Sequence, residues 1–263
     1  MSSSAVHLAP SNRFCISLGE VPLSLYIAEE SLFQSATTRY SLFQTPCESS
    51  QNELPVYIDG EGVAAPSSSH FAYTLHDSAT VSLSSSEARF LGIRNGYDLD
   101  SLLRILLSMV LLPSHGFLLH AATIVRKGQA YIFAGRSGAG KSTVAALSPP
   151  GSVLTDEISI LRFIEGAWHA YGTPFWGEFR DAGANARVPV AGVYDLIKAP
   201  EESAQPLSVK KALLALLRNV MFFAPVKQQV DKLMRMLLQA AEQLPFYELR
   251  FRPDASFWGV VRQ

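Results

Sequence analysis

Eight residues, Gly135-Arg136-Ser137-Gly138-Ala139-Gly140-Lys141-Ser142, carry the spacing G-x-x-x-x-G-K-[ST]. Glycines at these places let the backbone curl until several N–H groups point at one oxyanion. The N-terminus of the helix that follows adds partial positive charge at the same spot. The lysine supplies a point charge for terminal phosphates, and the Ser142 hydroxyl suits Mg²⁺. The candidate nucleotide contacts are therefore Gly135, Ser137, Gly138, Ala139, Gly140, Lys141, Ser142 and the following Thr143, with ATP and Mg²⁺ as the implied cofactors. An acidic pair, Asp156-Glu157, arrives fifteen residues after Lys141. The competing account of the loop is a glycine turn that happens to contain Lys-Ser. The strand and helix around it argue against that account.

Positioning such a loop requires a strand running in and a helix running out. Tyr131 to Ala134 reads as the strand, and residues 142 to 147 read as a short helix ended by Pro149-Pro150-Gly151. Residues 116–125 and 129–134 are joined by Arg126-Lys127-Gly128 alone, which predicts an antiparallel hairpin, because a parallel crossover needs about a dozen residues. Ahead of it, residues 99 to 112 predict one buried helix with Asp100 as N-cap and Pro113 as its stop. After it come strands at 153–155 and 158–163. Helices at 207–223 and 226–244 are split by Pro225. A strand from Phe246 to Arg252 and a short helix after Pro253-Asp254 complete the chain. Residues 13–18, 54–58 and 79–83 alternate or carry β-branched residues and read as strands. The expectation is an α/β or α+β chain: a β-rich region over 1–98, then a nucleotide-binding domain over 99–263 with a mixed or antiparallel sheet.

Residues 115 to 163 resemble the catalytic core of the HPr kinase/phosphorylase family, in the phosphoenolpyruvate-carboxykinase-like group. The resemblance rests on His120 fifteen residues before Gly135, on the G-x-S-G-x-G-K-S form of the loop, and on the early acid Asp156. It implies phosphoryl transfer from ATP to a serine-type hydroxyl, with Asp156 as base, His120 beside it and Lys141 on the phosphates. It implies Mg²⁺ held by Ser142, Asp156 and the acids near them. Two departures matter. The family's second aspartate is Glu157 here, and its HPr-recognition run is absent. Gly172-Thr173-Pro174-Phe175-Trp176-Gly177-Glu178-Phe179-Arg180 stands in roughly its place. By position Glu178 takes a second carboxylate role as a metal ligand, and Arg180 or Arg187 reaches the transferred phosphate; Arg162 is, with them, a candidate for transition-state charge or a solvated face. A surface loop explains these positions equally well. HPr is therefore a poor acceptor, and the acceptor is a protein, peptide or small molecule.

The 263 residues are 48% hydrophobic and 17% charged, with net charge −1 and mean hydropathy +0.15. That excludes disorder for most of the length. It also excludes the basic field of a general nucleic-acid binder. No apolar stretch reaches the ~20 residues a membrane-spanning helix needs. Cys15 and Cys47 are too few for a disulfide scaffold or a four-ligand zinc site and fit a reducing cytoplasm. The apolar stripe Val230, Leu233, Met234, Leu237 and Leu238 reads as core packing. Two further readings stay open: a nucleotide-dependent regulatory or scaffold protein that has lost transfer and, ranked last, a carboxykinase-like enzyme on a small acid. The resemblance is also compatible with a homo-oligomer.

Overall fold

The computed structural model describes residues 12–47, 53–59, 71–75, 79–177, 183–223 and 226–262. The chain divides into two compact units, residues 1–106 and 107–263. The first begins with β1 (Arg13–Leu18), β2 (Val21–Ile27), α1 (Glu30–Arg39), β3 (Gln44–Thr45) and β4 (Leu54–Asp59). It continues with β5 (Phe71–Leu75), β6 (Ala79–Leu83), β7 (Ala88–Leu91) and the start of α2 (Gly96–Val110). Its strands form one mixed sheet in the order β3-β1-β2-β4-β7-β6-β5. The alternation expected at 13–18, 54–58 and 79–83 is realised as β1, β4 and β6, and each buries one apolar face.

Four sequence expectations change in this unit. It carries the helix α1 as well as strands. α2 opens earlier than expected, and its cap is Asn95, whose side-chain oxygen accepts from Tyr97 N at 2.9 Å and Asp98 N at 3.1 Å. Asp100 lies inside the helix instead. It is 4% exposed and accepts from the Arg39 guanidinium and from the Tyr40 hydroxyl at 2.6 Å. A carboxylate this deeply buried is tolerable only when paired and hydrogen-bonded, and its charge together with burial holds the Tyr40 phenol well above the usual tyrosine pKa. Cys15 and Cys47, expected to be reduced thiols, are joined in a disulfide that ties β1 to the residues after β3. That pairing removes the basis on which the sequence suggested a reducing compartment. Ala64 to Ser69, expected as a loop, lies outside the described residues.

The second unit contains β8 (Gly116–Arg126), β9 (Gln129–Ala134), α3 (Lys141–Ala146), β10 (Val153–Thr155), β11 (Ile158–Ile164) and β12 (Ala167–Tyr171). These are followed by β13 (Arg187–Lys198), β14 (Ser203–Pro206), α4 (Val209–Asn219), β15 (Val220–Met221), α5 (Lys227–Gln243) and β16 (Phe246–Phe251). The hairpin, α3, β10, β11, α5 and β16 fall where the sequence puts them. The helix expected over 207–223 is shorter: α4 stops at Asn219, and Val220–Met221 becomes β15, paired with β8. The closing helix is a 3₁₀ turn at Ala255–Gly259 capped by Asp254. Pro225, expected to split the two helices, lies outside the described residues.

β8 and β13 each change partners along their length. The first half of β8 pairs β11 and its second half pairs β9. The first half of β13 pairs β12 antiparallel, and its second half pairs β9 and β16 parallel. Because β11 also pairs β12, the strands β8, β11, β12, β13 and β9 are linked in a closed cycle of pairings. The sheet is mixed, as expected. α3 packs Val144 and Ala145 with Ile124, Phe133 and Tyr194 on one face. α4 and α5 pack Ala212, Leu216, Leu233 and Leu237 with Leu119, Ala121 and Ile132 on the other. Only two of the five residues of the α5 stripe are core: Leu233 and Leu237 are buried, while Val230, Met234 and Leu238 are exposed.

Candidate functional site

The site is organised by a single residue of β8. Ala121 pairs with Ala134, the last residue before the glycine loop, and its N–H donates at 3.0 Å to the carbonyl of Glu157 on the opposite side. Strands lie about 4.8 Å apart, so the loop entrance and the acidic pair are set roughly 10 Å apart across one strand. The register makes this possible. Thr155 pairs with Thr123 and Ile158 with His120, so Asp156 and Glu157 interrupt an otherwise continuous antiparallel run along β8. Thr155 and Thr173 brace the interruption from inside, both hydroxyls donating to the carbonyl of Ile158 at 3.0 and 2.7 Å.

The loop leaves β9 and enters α3 through Gly140, which has φ of 114°. A Cβ there would come within 2.5 Å of Phe251 Cζ, so backbone conformation and space both demand glycine. The first loop amide is held from behind. The N–H of Gly135 donates at 3.3 Å to Oδ1 of Asn219, which is 4% exposed and itself donates to the Ala215 carbonyl at 2.8 Å. The sequence reading missed Asn219. Its only signal is a polar residue on the buried face at the end of α4. Ser137 and Gly138 are exposed at the crown of the loop, whereas Ala139, Ser142 and Thr143 are half-buried.

Lys141 is buried, and its ammonium donates at 3.1 Å to the Gly135 carbonyl. Burial lowers its pKa, and the nearby Glu157 carboxylate opposes that shift. The loop lysine and the acidic pair thus feel one another's charge. Asp156 is 4% exposed, and both its oxygens accept from the Gly177 N–H, at 3.0 and 3.1 Å. A Cβ at Gly177 would sit 3.2 Å from Asp156 Oδ2, a tight contact that a side chain there would have to push aside. Glu157 is half-buried. His120 is half-buried one residue from Ala121, opposite Ile158, and strand alternation puts it on the face of β8 that carries Ile124 and packs α3.

Asp156, Glu157, His120 and the loop are therefore brought together. Glu178 and Arg180 lie outside the described residues. Arg162 donates to the Ser114 carbonyl at 3.1 Å and lies over the Tyr171 ring, and Arg187 pairs with Glu165 at 3.0 Å. Among the described residues no three His, Cys, Asp or Glu side chains converge as a metal site. The donors beside the loop are the Ser142 hydroxyl and the two carboxylates, hard oxygens of the kind Mg²⁺ takes alongside phosphate and water.

Among solved structures, the HPr(Ser) kinase/phosphatase from Coxiella burnetii matches at 15% identity, over 48% of this chain and 90% of that one, with a TM-score of 0.27. No curated protein matches. A family described as SynChlorMet cassette protein ScmC matches residues 99–263, the whole stretch from α2 through the glycine loop and acidic pair to the C-terminus. With well over half its length matched, the chain belongs to the ScmC family of SynChlorMet cassette proteins.

Proposed function

We propose that the chain is a Mg²⁺- and ATP-dependent phosphotransferase that delivers a phosphoryl group to a hydroxyl. The observation that carries this reading is the Ala121 rung, which fixes the glycine loop and the Asp156–Glu157 pair on either side of one strand. The resemblance of residues 115–163 to the HPr kinase/phosphorylase core supports a serine-type hydroxyl as acceptor. The loop amides and Lys141 hold the donor's phosphates, and Ser142 with the acidic pair holds Mg²⁺. When bound, the metal neutralises charge on the transferred group. Asp156 takes the acceptor proton as the hydroxyl oxygen bonds to the terminal phosphorus, and the bridging P–O bond breaks to release ADP. His120 orients that carboxylate. The missing recognition run argues against HPr as acceptor.

A second reading is favoured by one observation. Both oxygens of Asp156 are engaged by Gly177 N–H in a nearly inaccessible position, which suits a nucleotide-sensing switch read out at that contact. The two readings separate in one experiment: MgATP binding and turnover by wild type, Lys141→Ala and Asp156→Asn. The phosphotransferase reading expects Lys141→Ala to lose both, and Asp156→Asn to bind ATP and lose turnover. Turnover by Asp156→Asn at the wild-type rate refutes the assignment of the base. Tight binding by wild type without turnover, together with nucleotide-dependent release of Gly177, favours the switch.

A further inference from the structure

Beside the glycine loop lies a half-open cavity of about 400 Å³, lined by Thr143, Lys198, Ala199, Phe251, Arg252 and Pro253. Its size is that of a small-molecule site. Its position follows from topology. β9, β13 and β16 are parallel neighbours, and their carboxyl ends lie in register: Ala134 beside Asp195, and Lys198 beside Phe251. The glycine loop follows the first of these ends, and the cavity's walls follow the other two. Crevices at the carboxyl ends of parallel strands are where α/β sheets take ligands. Ala199 N–H donates to the Phe251 carbonyl at 3.0 Å and closes the floor.

The cavity and the loop share parts. Phe251, which lines the cavity, is the ring that excludes a side chain from Gly140, and Thr143 belongs to the helix that the loop opens. Neither Asp156 nor Glu157 lines the cavity. The loop therefore has an acidic side, where Lys141 meets Glu157, and a second side that opens on this cavity. A phosphate chain laid along the loop with its terminal group toward Lys141 and the acids directs its other end here.

We propose that this cavity holds the nucleoside of the phosphoryl donor, so that the donor is a nucleoside triphosphate and not pyrophosphate or inorganic polyphosphate. The inference rests on the phosphate-loop reading above. Pro253 offers apolar surface to base and ribose, with the buried Phe251 behind it. Lys198 and Arg252 are exposed cations at the rim. The Arg252 guanidinium is held by Asp254 at 2.5 Å and approached by Glu202 at 3.8 Å. A guanidinium fixed in this way stacks on the planar base, while the Lys198 ammonium faces the phosphate nearest the ribose.

The test is calorimetric titration of the full chain with MgATP and, separately, with Mg²⁺-tripolyphosphate. Four proteins are compared: wild type, Arg252→Ala, Ala199→Leu and Lys141→Ala. Ala199→Leu places an aliphatic side chain in the cavity without altering charge. The expected result is that wild type binds ATP at least about tenfold more tightly than tripolyphosphate, the worth of one charge-assisted contact. Arg252→Ala and Ala199→Leu each remove most of that advantage and leave tripolyphosphate affinity within about twofold. Equal affinity of wild type for the two ligands overturns the nucleoside site and leaves the phosphate loop standing. So does an ATP advantage untouched by both cavity variants. Retention of both ligands by Lys141→Ala overturns the phosphate-loop reading, and absence of any binding overturns both.

Discussion

Replacing Gly140 by alanine asks the loop to accept two separate insults. The backbone there sits at φ of 114°, where an L side chain is strained by ~1–2 kcal/mol. The new methyl would also meet Phe251 Cζ at 2.5 Å, and crowding of a packed ring costs a further ~1–3 kcal/mol. The sum is about 2–5 kcal/mol, a large share of a typical folding free energy. In a unit of this size each kcal/mol moves the melting midpoint by about 2–4 °C, so a fall of roughly 4–20 °C is expected. Gly138 provides the internal control. It also has a positive φ, of 75°, but a Cβ there meets nothing within 4 Å, so Gly138→Ala should cost only the ~1–2 kcal/mol of strain. The Phe251→Leu background provides a second control, because without the ring Gly140→Ala should recover its crowding cost. Urea unfolding of the four proteins and the Gly140→Ala/Phe251→Leu double variant measures both terms. If Gly140→Ala and Gly138→Ala are equally stable, the close approach of Phe251 does not bear on the loop, and the reasoning fails.

Three other outcomes follow from the same geometry. Asn219→Ala should leave the buried Gly135 N–H without its acceptor and cost about 1–3 kcal/mol, and MgATP affinity should fall with it; unchanged urea midpoints would show that the contact is idle. Lys141 has a pKa below the ordinary 10.5 because of its burial. As pH rises toward that value, the folded chain loses this proton before the unfolded chain does, so stability of the ligand-free protein rises while MgATP affinity falls. Lys141→Met should show neither trend, and parallel pH profiles for wild type and variant would refute the assignment. Reducing the Cys15–Cys47 bridge opens a loop spanning 32 residues, which on the chain-entropy account removes about 3–4 kcal/mol. Thermal melts with and without reductant measure the loss, and an unchanged midpoint would show that the bridge adds nothing to the fold.

The loop, its hairpin and its helix were legible because each is a local event. A two-strand hairpin and a strand–loop–helix are written in adjacent residues. The acidic pair was legible for the same reason, as an early interruption after one short strand. What escaped depends on distant partners. β12, β13 and β14 carry no clean alternation, since β13 changes neighbours midway and is buried by different elements along its length. Asp100 looked like a cap because an acid before an apolar run usually is one; Arg39 and Tyr40, sixty residues upstream, make it a buried acceptor instead. Asn219 had no motif, and its role exists only because the end of α4 arrives behind Gly135. The α5 stripe was partly misread because its apolar residues cover more of the helix than α4 and the sheet can bury.

The wall that holds Gly140 in place is made long after the loop. A nascent chain on the ribosome displays the complete glycine-lysine-serine sequence more than a hundred residues before Phe251 has been synthesised. Until β16 docks on β13, the strand that feeds the loop lacks the outer layer beside its parallel neighbour. Pairings this remote in sequence form slowly, so the maturing chain passes through a stage at which the motif is present and its support is not. A protease cut or premature stop just ahead of Phe251 would leave every residue of the motif intact and still deprive Gly140 of the ring it packs against.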